Sequence, residues 1–322
     1  MSTQLIQQLL QSPEPAVRYK VLTRVLGQDP NSAEVQAAQE AIRTSPRVQQ
    51  LLSERDSDGR LPHHPYTKWD GAHWVLAGLA DLGYPPGDTS LIPLREQVLD
   101  WLLGPAHQKS IRVMDGRTRR CASQEGNAVY SLLALGLADE RVDELAGRLA
   151  RWQWPDGGWN CDRHPEAHHS SFHETLIPLR GLAWHARLTG NTQSRAAAGR
   201  AAEVFLQRRL YKRLSDGSII DADFMRLHYP SYWHYDVLSG LKVLQEAGYL
   251  ADPRCQEALA WLVARELPSG GWPADKAYYR VTDKRMSGRS LADWGGTSTR
   301  RLNEFVTADA LAVLTAAGWG DW

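Results

Sequence analysis

Cysteine is scarce in this sequence. The 322 residues include only Cys121, Cys161 and Cys255, and so small and odd a number argues against the disulfide framework typical of small secreted domains. The three residues are therefore expected to be free thiols or metal ligands. Phenylalanine is also scarce, with four residues against thirteen tryptophans. A fold that uses indole rings repeatedly would explain this aromatic balance.

An excess of charge of either sign is absent as well. Lys and Arg total 37, as do Asp and Glu, so the broad basic field needed for non-specific binding to nucleic acid or an anionic membrane is missing. No apolar run approaches the roughly 18 residues needed to span a bilayer. The start, MSTQLIQQLLQS, lacks a basic segment followed by an apolar stretch. We therefore expect a cytoplasmic protein with no nucleic-acid partner and no transmembrane segment, and whether it forms a homo-oligomer stays open.

The chain carries an internal repeat marked by glycine turns. Each turn follows one helix-like stretch and precedes another, and glycine supplies the positive φ that closes such a turn. The turns are centred on Gly59, Gly116, Gly157, Gly217 and Gly270. Their spacing accommodates one helical pair and a variable loop, so each unit is predicted to be a helical hairpin.

The stretches between these turns predict an all-α protein. They are rich in Ala, Leu and Arg with a 3.6-residue period, and runs of alternating β-branched residues are few. The mostly apolar stretches predict inner helices near 15–27, 70–83, 124–137, 171–187, 232–247 and 303–317. The striped stretches predict outer helices near 32–53, 91–103, 140–152, 194–209 and 252–265, with a sixth near 3–11. We expect residues 1–322 to form a single domain.

Two segments resemble known families. RWQWPDGGWNC (151–161), with a weaker relative in ELPSGGWPAD (266–275), resembles the QW motif of squalene-type cyclases. SSFHETLIPLRGL (170–182) resembles the inner helix of protein prenyltransferase β subunits that supplies a zinc-binding histidine, which would be His173. The resemblance implies an (α/α)6 toroid with an isoprenoid or similarly apolar small-molecule substrate in its central cavity.

The sequence departs from both families at their catalytic motifs. It contains neither the DxDD of squalene-type cyclases nor the DDxxD of ionisation-initiated terpene synthases. The prenyltransferase zinc site also uses an Asp and a Cys two positions apart, where QEGNAVYSLLALG (124–136) offers Glu125 and Asn127. The zinc site of that family is therefore not carried over whole.

Residues of metal-ligand type cluster at the predicted starts of the inner helices. In a toroid these helix starts gather at one mouth of the cavity, at the positive ends of the helix dipoles. Zinc takes Cys, His and carboxylate ligands. The proposed ligands are Cys121, Cys161 and His173, with Glu125, Asp162 or His234 as further ligands. In the alternative interpretation the cysteines are small buried groups and the histidines bind loop carbonyls.

Other residues at these helix starts have structural interpretations. Ser171 and Glu174, like Thr67 and Asp70, are spaced three apart as in a capping box, so Glu174 is assigned to a helix cap rather than to catalysis. Cys255 shares an apolar helix face with Leu259 and Leu262 and is assigned to the core.

The segment DADFMRLHYPSYWHYD (221–236) offers candidates for catalysis. Asp221 or Asp223 could serve as a general acid if desolvation keeps the carboxyl group protonated, with His234 and Asp236 as further catalytic candidates. Aromatic faces could stabilise a developing carbocation or bind substrate. The substrate-binding candidates are Trp69, His73, Tyr232 and Trp233. The alternative is that the DxD pattern is only a turn and a helix cap.

Residues 273–302 form a long insert rich in basic residues. One interpretation is a lid whose basic side chains, Arg300 among them, clamp a phosphate or carboxylate. The alternative is a solvated, mobile loop.

Three functions remain open from the sequence. The first is an enzyme of the terpenoid cyclase and prenyltransferase type. The second is a zinc-dependent enzyme of another reaction class on the same scaffold, with zinc activating a water or a thiol. The third is a non-catalytic protein that binds a hydrophobic ligand.

Overall fold

The computed structural model describes residues 3–320 and is mostly helical, as predicted. The α-helices in that range are α1 (Thr3–Leu10), α2 (Pro15–Lys20), α3 (Ala33–Ile42), α4 (Pro46–Leu52), α5 (Ala72–Leu82), α6 (Ile92–Leu103), α7 (Pro105–Ser110), α8 (Ser123–Ala134), α9 (Glu140–Trp152), α10 (Phe172–Thr189), α11 (Thr192–Leu206), α12 (Val237–Glu246), α13 (Gln256–Ala264) and α14 (Glu304–Ala316). A π-helical turn, Val21–Val25, extends α2.

The strands are short, and each two-stranded ladder joins neighbouring segments of the chain. An antiparallel hairpin joins β1 (Arg112–Met114) to β2 (Arg117–Arg119). Within the long insert, β3 (Arg280–Val281) pairs in parallel with β4 (Arg289–Ser290). In the range that the structure describes, no helix has the length and apolarity needed to cross a membrane.

Two predicted helix boundaries are wrong for identifiable reasons. The outer helix predicted at 32–53 is split into α3 and α4, because Ser45 caps α4 through the Val48 N–H and Pro46 occupies the first turn. The inner helix predicted from residue 232 begins at Val237. Tyr232 has a φ of +48°, and the Asp236 side chain forms a capping box with Ser239.

Both predicted capping boxes are also wrong. Gly71 precedes α5 without a side-chain cap, and the Asp70 carboxylate instead accepts a hydrogen bond from Arg289 at 2.8 Å. Ser171 caps α10 only through its backbone position. The Glu174 side chain turns away from its own helix and accepts the backbone N–H of Ser123 at 3.1 Å.

The glycine turns before α10 and α14 are built alike and show the repeat in atomic detail. The indole of Trp159 donates to the Leu149 carbonyl at 3.0 Å, and that of Trp272 donates to the Leu262 carbonyl at 2.7 Å. The backbone N–H of each tryptophan donates to a threonine hydroxyl on the following helix, Thr175 or Thr307. In both repeats a tryptophan therefore bonds to the end of one helix through its indole and to the start of the next helix through its backbone N–H.

Six helices pack against one another in sequence order across the core. The contacts run from α5 to α8, from α8 to α10, from α10 to α12, from α12 to α14, and from α14 to α2 with its π-helical turn. Lys20 of α2 also forms an ion pair with Asp81 of α5, with 3.5 Å between Nζ and Oδ2. Helices α2 and α14, near the two ends of the chain, are thus in contact with each other, and α2 is linked to α5.

The long insert is tied to the segment before α5. The Trp69 N–H donates to the Arg289 carbonyl at 2.9 Å, and the Gly288 N–H donates to the Lys68 carbonyl at 2.9 Å. The Trp69 indole adds a bond to the Tyr278 carbonyl at 2.7 Å. These bonds hold part of the insert over the start of α5.

Candidate functional site

A central cavity lies between α5, α8, α10 and α12. It contains about 830 Å³ of space not filled by atoms, its open mouth included. Aromatic side chains form much of the wall, namely Trp69, Trp74, Tyr130, Tyr229, Tyr232 and Trp294. Asp81, Arg180 and Lys242 also line it. The wall is therefore aromatic in one part and ionic in another.

An aromatic stack forms one wall of the cavity mouth. The rings of Trp69 and Tyr232 stack with 3.8 Å between centroids and 6° between planes. Trp74 meets Trp69 edge to face at 4.7 Å. Two substrate-binding candidates, Trp69 and Tyr232, thus lie together on the wall. The left-handed backbone at Tyr232, which is costly for a residue with a side chain, holds its ring in this stack.

His234 also lines the cavity, and it is neutral. Its ring stacks between Trp233, at 3.9 Å, and Tyr278 of the insert, at 3.3 Å. Burial is the main cause that lowers the pKa of His234 to about 2, and the nearby His228 and His173 add to it. Its Nδ1 atom is buried and has no hydrogen-bond partner within residues 3–320. The ring therefore leaves one buried nitrogen without a hydrogen bond next to the cavity.

His73 is a buried neighbour of the same wall. Its Nε2 atom lies 3.2 Å from the Asn127 amide nitrogen, and its ring packs edge to face on Trp74 at 4.7 Å. Burial lowers the pKa of His73 to about 3. It is 2% exposed, so its place is in the packing that positions Trp74.

A thiol, thiol and carboxylate cluster lies at the starts of α8 and α10. The sulfurs of Cys121 and Cys161 and a carboxylate oxygen of Glu174 all lie within 4.8 Å of one another. Cys161 Sγ is 3.5 Å from Glu174 Oε1. All three residues are partly exposed, so the cluster is open to a ligand. Two sulfurs and one oxygen form a donor set that zinc accepts.

The cluster's electrostatics favour a bound cation. A hydrogen bond with Cys121, burial and the nearby Glu174 carboxylate together raise the pKa of Cys161 far above its ordinary value. Burial is the main cause that raises the pKa of Glu174. Cys161 and Glu174 are therefore hard to ionise next to each other. A metal ion bound between them would stabilise their anionic forms.

Local structure explains why Cys161 reaches this position. It follows the glycine turn at Gly158, where a Cβ atom would lie 2.6 Å from the Cβ of Ser170. The loop after it is held by Arg119, which is 1% exposed. The Arg119 guanidinium donates to backbone carbonyls of Asp162, His164, Pro165 and Ala167 at 2.8 to 3.4 Å. Nothing in our sequence analysis pointed to Arg119, because its partners lie more than 40 residues away.

Only Cys121 and Cys161 of the proposed metal ligands come together. Glu125 is buried and pairs with His107 at 2.7 Å. Asp162 is exposed, and its carboxylate accepts the N–H of His164. The Nδ1 atom of His173 accepts the backbone N–H of Tyr235 at 3.0 Å. The third member of the cluster is Glu174, which the capping pattern had assigned to the helix end.

The acidic candidates between residues 221 and 236 have structural roles. Asp221 is exposed and caps a short 3₁₀ turn. Asp223 pairs with Lys276 at 2.6 Å and its side chain is 42% exposed, and hydrogen bonding to Lys276 lowers its pKa. Neither is a desolvated general acid. Asp236 is buried, caps α12 and pairs with His228 at 2.9 Å. The turn-and-cap interpretation is therefore the right one for this segment.

Two further candidates lie away from the cavity wall. Trp233 packs on His234 and beneath Lys68, whose Nζ atom is 4.9 Å from its ring. The Arg300 side chain is exposed and forms no ion pair within residues 3–320. Two basic residues of the insert do bind carboxylates: Lys276 pairs with Asp223, and Arg289 pairs with Glu54 at 2.7 Å and with Asp70 at 2.8 Å.

A second group with metal-ligand side chains, Glu54, His63 and Asp70, is occupied by Arg289. The guanidinium bonds to both Glu54 oxygens and to Asp70 Oδ2. These bonds lower the pKa of Glu54 to about 2. A cation in this place would have to displace the arginine, so the group locks the insert to α4 and the start of α5.

Comparison with known proteins adds no assignment. No family model matches the chain, and no curated protein matches it.

Proposed function

We propose that the chain is an (α/α)6 toroid of the terpenoid cyclase and prenyltransferase type. The inner ring would consist of α2, α5, α8, α10, α12 and α14. Their sequential contacts, and the Lys20–Asp81 ion pair between α2 and α5, support a closed ring. The central cavity and the like-built tryptophan turns before α10 and α14 support it further.

On this scaffold we infer a zinc-dependent enzyme that acts on a substrate with an apolar body. The observation that carries the proposal is the convergence of Cys121, Cys161 and Glu174 at the starts of two neighbouring inner helices. Three protein ligands leave one position of a tetrahedral zinc open, where the metal would bind a thiol or water and lower its pKa. The two thiols and the carboxylate would hold the metal at the cavity mouth.

Tyr66 and Trp74 link the cluster to the cavity. The Cys121, Glu174 and Cys161 groups all raise the pKa of the Tyr66 phenol, which burial raises most. The Tyr66 ring packs on Trp74 with 5.2 Å between centroids, and Trp74 lines the cavity. A substrate whose apolar body lies against Trp74 would have its reactive end close to Tyr66 and the metal ligands.

The cavity wall favours zinc chemistry over carbocation cyclisation. A carbocation is quenched by a nucleophile, and the Asp81 carboxylate lines the cavity. The DxDD and DDxxD motifs that start such reactions are also absent. We therefore place the protein nearer to prenyltransferases, or to another zinc-dependent reaction, than to the cyclases.

A second candidate is a non-catalytic protein that binds a hydrophobic ligand. It is favoured by the separation of the cluster from the cavity, because none of Cys121, Cys161 and Glu174 lines the cavity wall. With Co²⁺ in place of zinc, a ligand that reaches the metal would change the visible spectrum. A bound ligand that leaves the spectrum unchanged would favour this second candidate.

The proposed zinc site is tested by the metal content of purified protein. We expect one zinc per chain, lost in Cys161→Ala and Cys121→Ala and weakened in Glu174→Gln. Cys255→Ala is the matched control, because Cys255 is buried in the core away from the cluster. Equal zinc content in Cys161→Ala and the wild type would contradict the assignment, as would wild-type protein that binds no zinc when supplied with it.

A further inference from the structure

Ionic side chains from several helices meet at the inner part of the cavity. Asp81, Arg180 and Lys242 line it, and their side chains are 19%, 14% and 9% exposed. Lys20, Glu246 and Asp309 pair with them from behind. A purely apolar ligand would leave these groups facing hydrocarbon, which costs free energy of desolvation. The ionic part of the wall therefore indicates a ligand that is polar at one end.

Each carboxylate oxygen in this group accepts a hydrogen bond from a cationic side chain. Asp81 Oδ1 accepts from Lys242 and Arg180, at 2.8 and 3.2 Å. Its Oδ2 lies 3.5 Å from Lys20 Nζ. Asp309 accepts from Lys20 and Lys242 at 2.9 and 2.8 Å. Both Glu246 oxygens accept from Arg180, at 2.8 and 2.7 Å. The acceptors are therefore already engaged.

Arg180 and Lys242, in contrast, have more N–H groups than they have acceptors. The Nη1 atom of Arg180 forms no hydrogen bond within residues 3–320, since the bonds of this side chain use Nε and Nη2. Lys242 has three N–H groups and two acceptors, Asp81 and Asp309. Both residues line the cavity. A ligand group placed here meets unused cationic donors, and each carboxylate oxygen nearby already has a donor.

We propose that this part of the cavity binds the anionic oxygen group of an amphipathic ligand, a carboxylate or a phosphate monoester, through Arg180 and Lys242. The apolar body of the ligand lies against the aromatic wall formed by Trp74 and Trp294. Guanidinium and ammonium groups form their strongest hydrogen bonds with such oxygens. The inference rests on the proposed function in one respect, because it takes the cavity to be the ligand site.

Arg180 is held in place for this role. Its guanidinium lies 3.6 Å from the centroid of the Tyr130 ring, while Glu246 fixes Nε and Nη2. A planar group fixed by a ring on one face and a carboxylate on one edge loses little freedom when its remaining edge binds a ligand.

The test is a set of four ligands with the same twelve-carbon chain, titrated by calorimetry below their aggregation concentrations in 0.15 M salt. They are dodecanoate, dodecyl phosphate, dodecanol and dodecylamine. We expect one or both anions to bind about tenfold more tightly than dodecanol, as one charge-assisted hydrogen bond would give. We expect dodecylamine to bind more weakly than dodecanol. The two anions distinguish a carboxylate ligand from a phosphate ligand.

A paired variant, with two substitutions, tests whether Arg180 causes the preference for anionic ligands. Arg180→Gln with Glu246→Gln removes both members of the bidentate pair; Asp81 keeps Lys20 and Lys242 as partners, and Arg24, which lies 3.6 Å from Glu246, loses its carboxylate. We expect the paired variant to bind dodecanoate and dodecanol within about twofold of each other, since the charge-assisted bond is lost. Arg187→Gln is the control on the same helix, because Arg187 is exposed. It should keep the wild-type preference. If the paired variant does not fold, the wild-type ligand series still decides.

Three results would overturn the inference: equal binding of dodecanol and both anions, tighter binding of dodecylamine, or no binding of any of the four. A paired variant that folds and keeps the preference would overturn the role of Arg180. These outcomes are separate from the zinc proposal, which the metal content decides. A protein that binds zinc without preferring anions would retain the metal centre and lose only this inference.

Discussion

At the residue scale, Glu174 is held in a position that a helix cap does not require. Its carboxylate accepts the Ser123 N–H, at the start of the neighbouring helix α8, and lies 3.5 Å from Cys161 Sγ. Burial raises its pKa, so carrying a negative charge there is costly unless a cation is present. The residue is thus better suited to hold a metal than to end a helix.

The raised pKa values of Glu174 and Cys161 predict pH-dependent metal binding. Both groups gain protons more readily than usual, and a metal must displace those protons. We expect zinc affinity to fall as pH is lowered from 8 to 6, with protons released on binding. Competition with a chelator at several pH values measures this. Zinc affinity independent of pH would contradict the thiol and carboxylate ligands.

The sequence predicted two of the three cluster residues, and the reason for the miss is physical. Cys121 and Cys161 stand at inner-helix starts, which sequence spacing can locate. The spacing of Ser171 and Glu174 matches a capping box. The Glu174 carboxylate instead binds the N–H of Ser123 on another helix, and the sequence does not show that these two groups are close. The prediction of a general acid at Asp221 or Asp223 was wrong because it required burial. Burial depends on packing that a local sequence pattern does not encode.

At the scale of elements, the tryptophan turns connect α9 to α10 and α13 to α14. Trp159 and Trp272 are 1% and 0% exposed, and each bonds to a carbonyl ten residues back. This repeated use of indole accounts for part of the high tryptophan count. The helix pattern was predicted well because it depends on local periodicity, whereas the start of α12 was not, because the capping box at Asp236 overrides the aromatic residues before it.

Because the two tryptophan turns are built alike, we expect the same substitution in each to lower stability by a similar amount. Trp159→Phe and Trp272→Phe each remove one indole hydrogen bond and leave a small cavity, so each should lower the free energy of unfolding by about 1 to 3 kcal/mol. Urea unfolding measures both. Trp319→Phe is the control, because Trp319 is 38% exposed, and it should change little. Unequal losses in the two turns would argue against equivalent roles.

At the scale of the whole molecule, buried ion pairs join distant parts of the chain. Lys20 and Asp309 are 289 residues apart and lie 2.9 Å from each other, with side chains 2% and 6% exposed. No sequence pattern could predict such a pair, because neither residue differs locally from a solvated one. In the proposed toroid this contact joins the first inner helix to the last.

Removing Lys20 should therefore weaken the whole fold. Lys20→Met leaves Asp309 and Asp81 with fewer partners, and we expect a loss of about 3 kcal/mol in the free energy of unfolding. Adding Asp309→Asn should restore part of that loss, because Lys242 is then no longer shared between two carboxylates. Lys109→Met, at an exposed position, is the control. Chemical unfolding of the four proteins measures this, and a Lys20→Met protein as stable as the wild type would contradict a closing role.

The central claim is that Cys121, Cys161 and Glu174 form a zinc centre at the starts of α8 and α10. X-ray absorption at the zinc edge of the purified protein tests it most directly, because the spectrum counts sulfur ligands. The account predicts two sulfur atoms at about 2.3 Å and oxygen ligands at about 2.0 to 2.2 Å. A first shell without sulfur, or with a single sulfur, would contradict it.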